Sequence, residues 1–133
     1  MDSESYGRYR EAWQRRWQEA DKKREERVYL ARQASETCAR LLAERYGARR
    51  VYLFGSLVGS RRIHDRSDID LAVEGLGPGR AYWRALAQLW AYLPPGIELD
   101  LVPLEDADPE LVEHILTEGE LLYDDQGLHQ PAR

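Results

Sequence analysis

Residues 55–70 read GSLVGSRRIHDRSDID, and they hold the side chains best suited to chemistry. Asp68 and Asp70 flank Ile69 at the start of an apolar run, Ile69-Asp70-Leu71-Ala72-Val73. In a strand, residues two apart point to the same face with α-carbons roughly 6.6 to 7 Å apart. Two carboxylates so placed can converge on one hard cation, and magnesium favours one or two carboxylates completed by phosphate oxygens and water. Upstream, Val51-Tyr52-Leu53-Phe54 reads as a buried strand ending at Gly55-Ser56. A glycine there lets a phosphate approach the backbone, while the serine hydroxyl and the amides of a following helical turn can donate to it. Taken singly, an Asp-x-Asp is most often a solvated turn or cap, and a Gly-Ser is most often a turn. Nor is this a Walker A loop, because the Gly-Lys-Ser/Thr ending is missing. The specificity lies in the order: strand, Gly-Ser, a spacer, then Asp-x-Asp running into a second apolar strand.

That order resembles the nucleotidyltransferase superfamily that includes DNA polymerase β and kanamycin nucleotidyltransferase, and in particular its minimal nucleotidyltransferase (MNT) branch. The matching residues are Phe54-Gly55-Ser56 and Ser67-Asp68-Ile69-Asp70-Leu71. The third acidic residue of the pattern has a candidate in Asp100, within Ile97-Glu98-Leu99-Asp100-Leu101-Val102. A charge inside an apolar strand is costly without a partner, and a metal would supply one; the alternative is an edge strand from which Asp100 points to solvent. The resemblance implies that Asp68, Asp70 and Asp100 bind one or two Mg2+ ions, with Asp100 deprotonating or orienting an acceptor hydroxyl. It implies that Gly55 and Ser56 hold the β- and γ-phosphates of a nucleotide, with ATP favoured. The chain departs from the pattern twice. Its spacer, Leu57 to Ser67, is eleven residues, one longer than the commonest form. Leu57 stands where many relatives carry Arg, so Arg61, Arg62 or Arg66 must supply the phosphate contact, or the nucleotide is held weakly.

MNT proteins are often encoded beside helical HEPN proteins, and in characterised pairs they act as antitoxins that adenylylate a tyrosine of the HEPN RNase toxin. The resemblance therefore implies a type VII-like antitoxin that transfers AMP to a HEPN-type partner. Two rivals stand beside it: a nucleotide-binding antitoxin that neutralises its partner by contact alone, and a small-molecule nucleotidyltransferase of antibiotic-resistance type.

At 133 residues there is room for one domain, with no second substrate-binding domain expected. Residues 1–50 carry 13 Lys/Arg against 9 Asp/Glu, and residues 51–133 carry 6 against 15. So acidic a catalytic half repels a phosphodiester backbone, and a polynucleotide substrate is not expected. One cysteine, Cys38, cannot form an internal disulfide and reads as a small buried apolar residue. His64, His114 and His129 show no zinc spacing. With no apolar stretch near the roughly 18 residues a membrane span requires, and a charged N-terminus unlike a signal peptide, a cytoplasmic protein is expected.

The elements that must position these groups alternate. From about Tyr6 to Tyr46 there is no Pro, and apolar residues recur at Tyr6, Tyr9, Trp13, Trp17 and Ala20, then Val28, Ala31, Ser35, Cys38 and Leu42. These steps of three and four trace one helical face. A helix of about 40 residues would be roughly 60 Å long, so its first half either projects, folds back near Asp21-Lys22-Lys23, or packs on another chain, including a second copy. Arg80 to Leu93 reads as a helix with Trp83, Leu86, Trp90 and Leu93 as its core face. Asp108-Pro109-Glu110 opens another helix, with Asp as its cap. Glu120 to Tyr123 reads as a last short strand. The expected fold is α+β with alternating elements: the nucleotidyltransferase fold, a small mixed sheet of three or four strands flanked by helices, behind a long N-terminal helix. The chain divides into a charged helical extension (1–27), the nucleotidyltransferase domain (28–124) and a flexible tail (125–133).

Overall fold

The computed structural model describes residues 3–55, 69–77 and 79–127. Helix α1 (Ser3–Tyr46) is one unbroken segment of 44 residues. It does not fold back at Asp21-Lys22-Lys23, because nothing in that run breaks a helix: Asp21 and Arg24 pair instead across one turn, at 3.0 Å. Gly47, at φ 70°, ends it in a left-handed conformation that glycine adopts freely. Strands β1 (Arg50–Phe54), β2 (Ile69–Glu74), β3 (Leu99–Pro103) and β4 (Glu120–Asp124) interleave with α2 (Arg80–Trp90) and α3 (Pro109–Glu118). Between β3 and α3 comes a single 3-10 turn, Leu104–Asp106.

The strands form one mixed sheet in the order β3-β2-β1-β4. β1 is antiparallel to both β2 and β4, and β2 is parallel to β3. That parallel pair requires a crossover, and α2 provides it. Strand alternation sorts the sheet into two faces. Val51, Leu53, Ile69, Leu71, Val73, Leu99 and Leu101 are buried in one cluster with Ala31, Ala34, Cys38 and Leu42 of α1 and Ala85 and Leu89 of α2. Helices α1 and α2 thus cover one face of the sheet. Cys38 is fully buried, and burial pushes its thiol up to about 11. Two bonds tie the helices to the strands: Arg32 of α1 donates to Glu120 of β4 at 2.7 Å, and the Tyr82 hydroxyl of α2 donates to the Leu101 carbonyl at 2.9 Å.

Two expectations are corrected. Trp83 and Trp90 are exposed rather than core. The face that α2 buries runs through Tyr82, Ala85, Leu86 and Leu89, also spaced by three and four, so the tryptophans sit on the flank of the helix. Asp108 does occupy the cap of α3, but its side chain makes no capping hydrogen bond; its backbone carbonyl accepts from Val112 instead, at 3.0 Å.

Candidate functional site

Asp70 is the second residue of β2 and Asp100 the second of β3. The parallel register sets them directly opposite each other, and residues paired across neighbouring strands point to the same face. Adjacent strands lie about 4.8 Å apart, so the two carboxylates rise side by side. Phe54 at the end of β1 is the antiparallel partner of Asp70, which puts Gly55 just beyond that pairing. All three strands therefore bring their functional ends to one corner of the sheet, on the face opposite the helix-covered core.

Gly55 has φ 80°, a conformation that side chains rarely adopt. A Cβ built there would collide with the Asp70 carboxylate oxygen Oδ2, with the Asp70 Cγ next at 3.1 Å. The missing side chain is thus what allows the Asp70 carboxylate to lie against the end of β1. This glycine is required twice over, for its backbone conformation and for the space above it.

Asp100 departs from the sequence reading in one respect. β3 is an edge strand and Asp100 is exposed, so its charge carries no burial cost. What recommends it is register rather than burial. Its field is felt by Tyr82, whose hydroxyl is pushed above the ordinary phenol value, first by burial and then by the Asp100 charge. Glu98 turns its carbonyl towards β2, where it accepts from the Ile69 amide at 2.8 Å. Alternation then turns the Leu101 carbonyl to the outer edge, where Tyr82 caps it. Tyr82 went unnoticed in the sequence. Its signal was there, an amphipathic side chain on the same helical face as Ala85 and Leu89.

Of the other anticipated site residues, Asp68, Ser56, Arg61, Arg62 and Arg66 lie outside the described residues, as do Leu57, His64 and the short helical turn expected after Gly55-Ser56. Among the described residues no three metal-ligating side chains gather. The described pair nonetheless suits a divalent cation. Two carboxylates on neighbouring strands repel, a hard cation reverses that repulsion, and the donors are oxygens of the kind magnesium takes. A cavity of about 680 Å3, lined by Gly75, Leu76, Tyr82, Trp83, Pro103 and Glu105, opens at the other end of β2 and β3. It stands apart from the carboxylates and is not part of this site. No helix among the described residues is long and apolar enough to cross a membrane.

Residues 36–127 match the family described as Polymerase beta, Nucleotidyltransferase. Among solved structures, the toxin–antitoxin complex MntA–HepT is 26% identical, covering 71% of this chain and 74% of that one at a TM-score of 0.53. A toxin–antitoxin structure with AMP-PNP is 28% identical, covering 68% and 74%, at 0.56. The tri-AMPylated HEPN toxin of Shewanella oneidensis in complex with its MNT antitoxin is 25% identical, covering 72% and 74%, at 0.52. No curated protein sequence matches. The match over residues 36–127 spans both edge strands and the corner where Gly55, Asp70 and Asp100 meet. The chain belongs to the polymerase beta nucleotidyltransferase family, and within it resembles the MNT proteins of those complexes.

Proposed function

We propose that this protein is a metal-dependent adenylyltransferase that moves AMP from ATP to a tyrosine hydroxyl of a HEPN-type toxin and so acts as its antitoxin. The observation that carries the reading is the parallel register of Asp70 with Asp100 over Gly55. It is supported by the likeness to an MNT antitoxin held with an AMPylated HEPN toxin and to a toxin–antitoxin structure with AMP-PNP.

In this reading Asp68, Asp70 and Asp100 hold one or two Mg2+ ions, which when bound supply charge neutralisation at the attacking and leaving oxygens. Gly55 leaves its backbone open to the β- and γ-phosphates, Ser56 donates to them, and Arg61 and Arg62 neutralise them. Asp100 accepts the proton of the acceptor hydroxyl or orients it. The hydroxyl oxygen bonds to the α-phosphorus as the bond from that phosphorus to the bridging oxygen breaks, and pyrophosphate departs. The acidic half of the chain disfavours a polynucleotide acceptor.

The test is transfer from α-labelled ATP to a HEPN-type toxin. Asp68→Asn and Asp70→Asn should each abolish labelling while the variants still fold. Labelling at the wild-type level would sink the assignment. ATP and Mg2+ binding by titration calorimetry without any transfer would favour the contact-only antitoxin, the reading that Leu57 keeps open.

A further inference from the structure

The first half of α1 presents an apolar face to solvent. From Ser5 to Leu30 no residue is buried, and Tyr6, Tyr9, Trp13 and Trp17 are 58%, 64%, 45% and 61% exposed. The family match begins at residue 36, so this segment is additional to the shared domain. The face is not randomly oriented. Trp13 and Ala31, Trp17 and Ser35, and Ala20 and Cys38 are each 18 residues apart, five turns of 3.6. Ala31, Ser35 and Cys38 are fully buried against the domain. The aromatic stripe is therefore the same face of the same helix, carried past the end of its own sheet. What covers the face further along covers nothing here.

We propose that a second copy of this chain covers it, the N-terminal halves of two α1 helices pairing antiparallel about Trp13. Three observations favour that occupant. The first is shape and charge. With Trp13 opposite Trp13, Tyr6 falls level with Ala20 and Tyr9 with Trp17 of the other helix. Arg10 and Arg16, which flank the stripe, then fall within one residue of the level of Trp17 and Tyr9 across the pair. Guanidinium groups meet aromatic rings, and no acidic side chain is brought into the seam. The second is the surface itself. Arg10, Trp13, Gln14, Trp17 and Gln18 line a shallow groove of about 610 Å3 beside the proposed axis, so the two-fold brings two such grooves together. The third is area. At roughly 150–250 Å2 per aromatic side chain, the exposed parts of the four rings come to roughly 450 Å2 per helix. Pairing would hide at most about twice that, and the stems of Arg10 and Arg16 with Ala20 raise the ceiling towards the ~1,200 Å2 at which specific interfaces begin.

The test is the mass of the full chain in solution by light scattering at tens of micromolar. The expected result is twice the 15.5 kDa chain mass, falling to the single-chain mass in Trp13→Glu and in Trp17→Lys. Both side chains are solvent-exposed, so far-UV circular dichroism should show both variants folded, and their melting temperatures should lose the dependence on chain concentration that a dimer confers. Trp83→Glu, exposed on α2, should remain dimeric. Orientation is read in a Cys38→Ala background: a mixture of Tyr6→Cys and Ala20→Cys chains should form a mixed disulfide, and Tyr6→Cys chains alone should not. A wild-type monomer, a dimer that survives both tryptophan variants, or Tyr6→Cys chains linking to themselves would each overturn the proposal. A wild-type monomer whose tryptophan variants lose binding to the HEPN-type protein would assign the face to that protein instead.

Discussion

Replacing Gly55 with alanine separates the backbone demand at the candidate site from its steric demand, because Gly47 offers a matched control. Both glycines have positive φ, 80° and 70°. A Cβ at Gly47 would meet nothing within 4 Å, whereas one at Gly55 would strike the Asp70 carboxylate. A left-handed conformation costs a non-glycine residue about 1–2 kcal/mol, so each substitution alone should lower stability by that amount. For a chain of this size the melting temperature should fall by a few degrees per kcal/mol. Gly47→Ala should do no more. Gly55→Ala must also turn the Asp70 side chain aside or shift the end of β1, and displacing a reacting group by about 1 Å costs around 100-fold in rate. The assay is AMP transfer from labelled ATP at a temperature where both variants are folded, alongside urea unfolding of each. The expected result is a loss of stability in Gly55→Ala at least as large as in Gly47→Ala, and a selective loss of transfer, at least about 100-fold, in Gly55→Ala. If Gly55→Ala transferred AMP within a few-fold of Gly47→Ala, the carboxylate lying over that glycine would not be part of the catalytic centre.

Two further outcomes follow from the core. Leu42 is fully buried between α1 and the sheet, so Leu42→Ala should cost about 2–5 kcal/mol in urea unfolding; a loss below about 1 kcal/mol would mean that this half of α1 is not seated. Burial raises the Cys38 thiol from 9.0 to about 11. The unfolded thiol therefore ionises first, and the stability this group contributes is whole below pH 9 and lost as pH rises towards 11. At about 1.4 kcal/mol per pH unit, that loss is about 3 kcal/mol at most. The difference between wild type and Cys38→Ala isolates it from the ionisation of tyrosines, and a difference that stays flat from pH 8 to 11 would contradict the burial.

The alternation of elements was legible because glycine follows α1 and α3 directly, Pro94-Pro95-Gly96 follows α2, and apolar runs mark β1, β2 and β3. The pairing of Asp70 with Asp100 was not, because register between parallel strands depends on how α2 crosses over, and the buried face of α2 was read right at Leu86 and Leu93 but wrong at Trp83 and Trp90. Two tryptophans outweighed Ala85 in that reading, although a small residue is what lets a helix approach a sheet. Asp100 was chosen as the third acidic residue of the family pattern, with its cost inside an apolar run as the supporting reason. That reason fails on an exposed edge strand, while the position the pattern selected is adjacent to Asp70. The continuity of α1 could be argued only from the absence of a breaker, and what its aromatic face meets depends on contacts that no local pattern encodes.

The hairpin formed by β1 and β2 has a bearing on how such a protein can change over generations. Phe54 pairs with Asp70, so the ladder itself, rather than the segment joining the strands, holds the two ends of the motif together. Lengthening that segment from ten residues to eleven adds only about 0.1 kcal/mol of closure entropy. Small changes in the length of that segment are thus nearly neutral for closing the hairpin. The juxtaposition of Gly55 with Asp70 is thereby insulated from changes in the length of the segment that joins their strands.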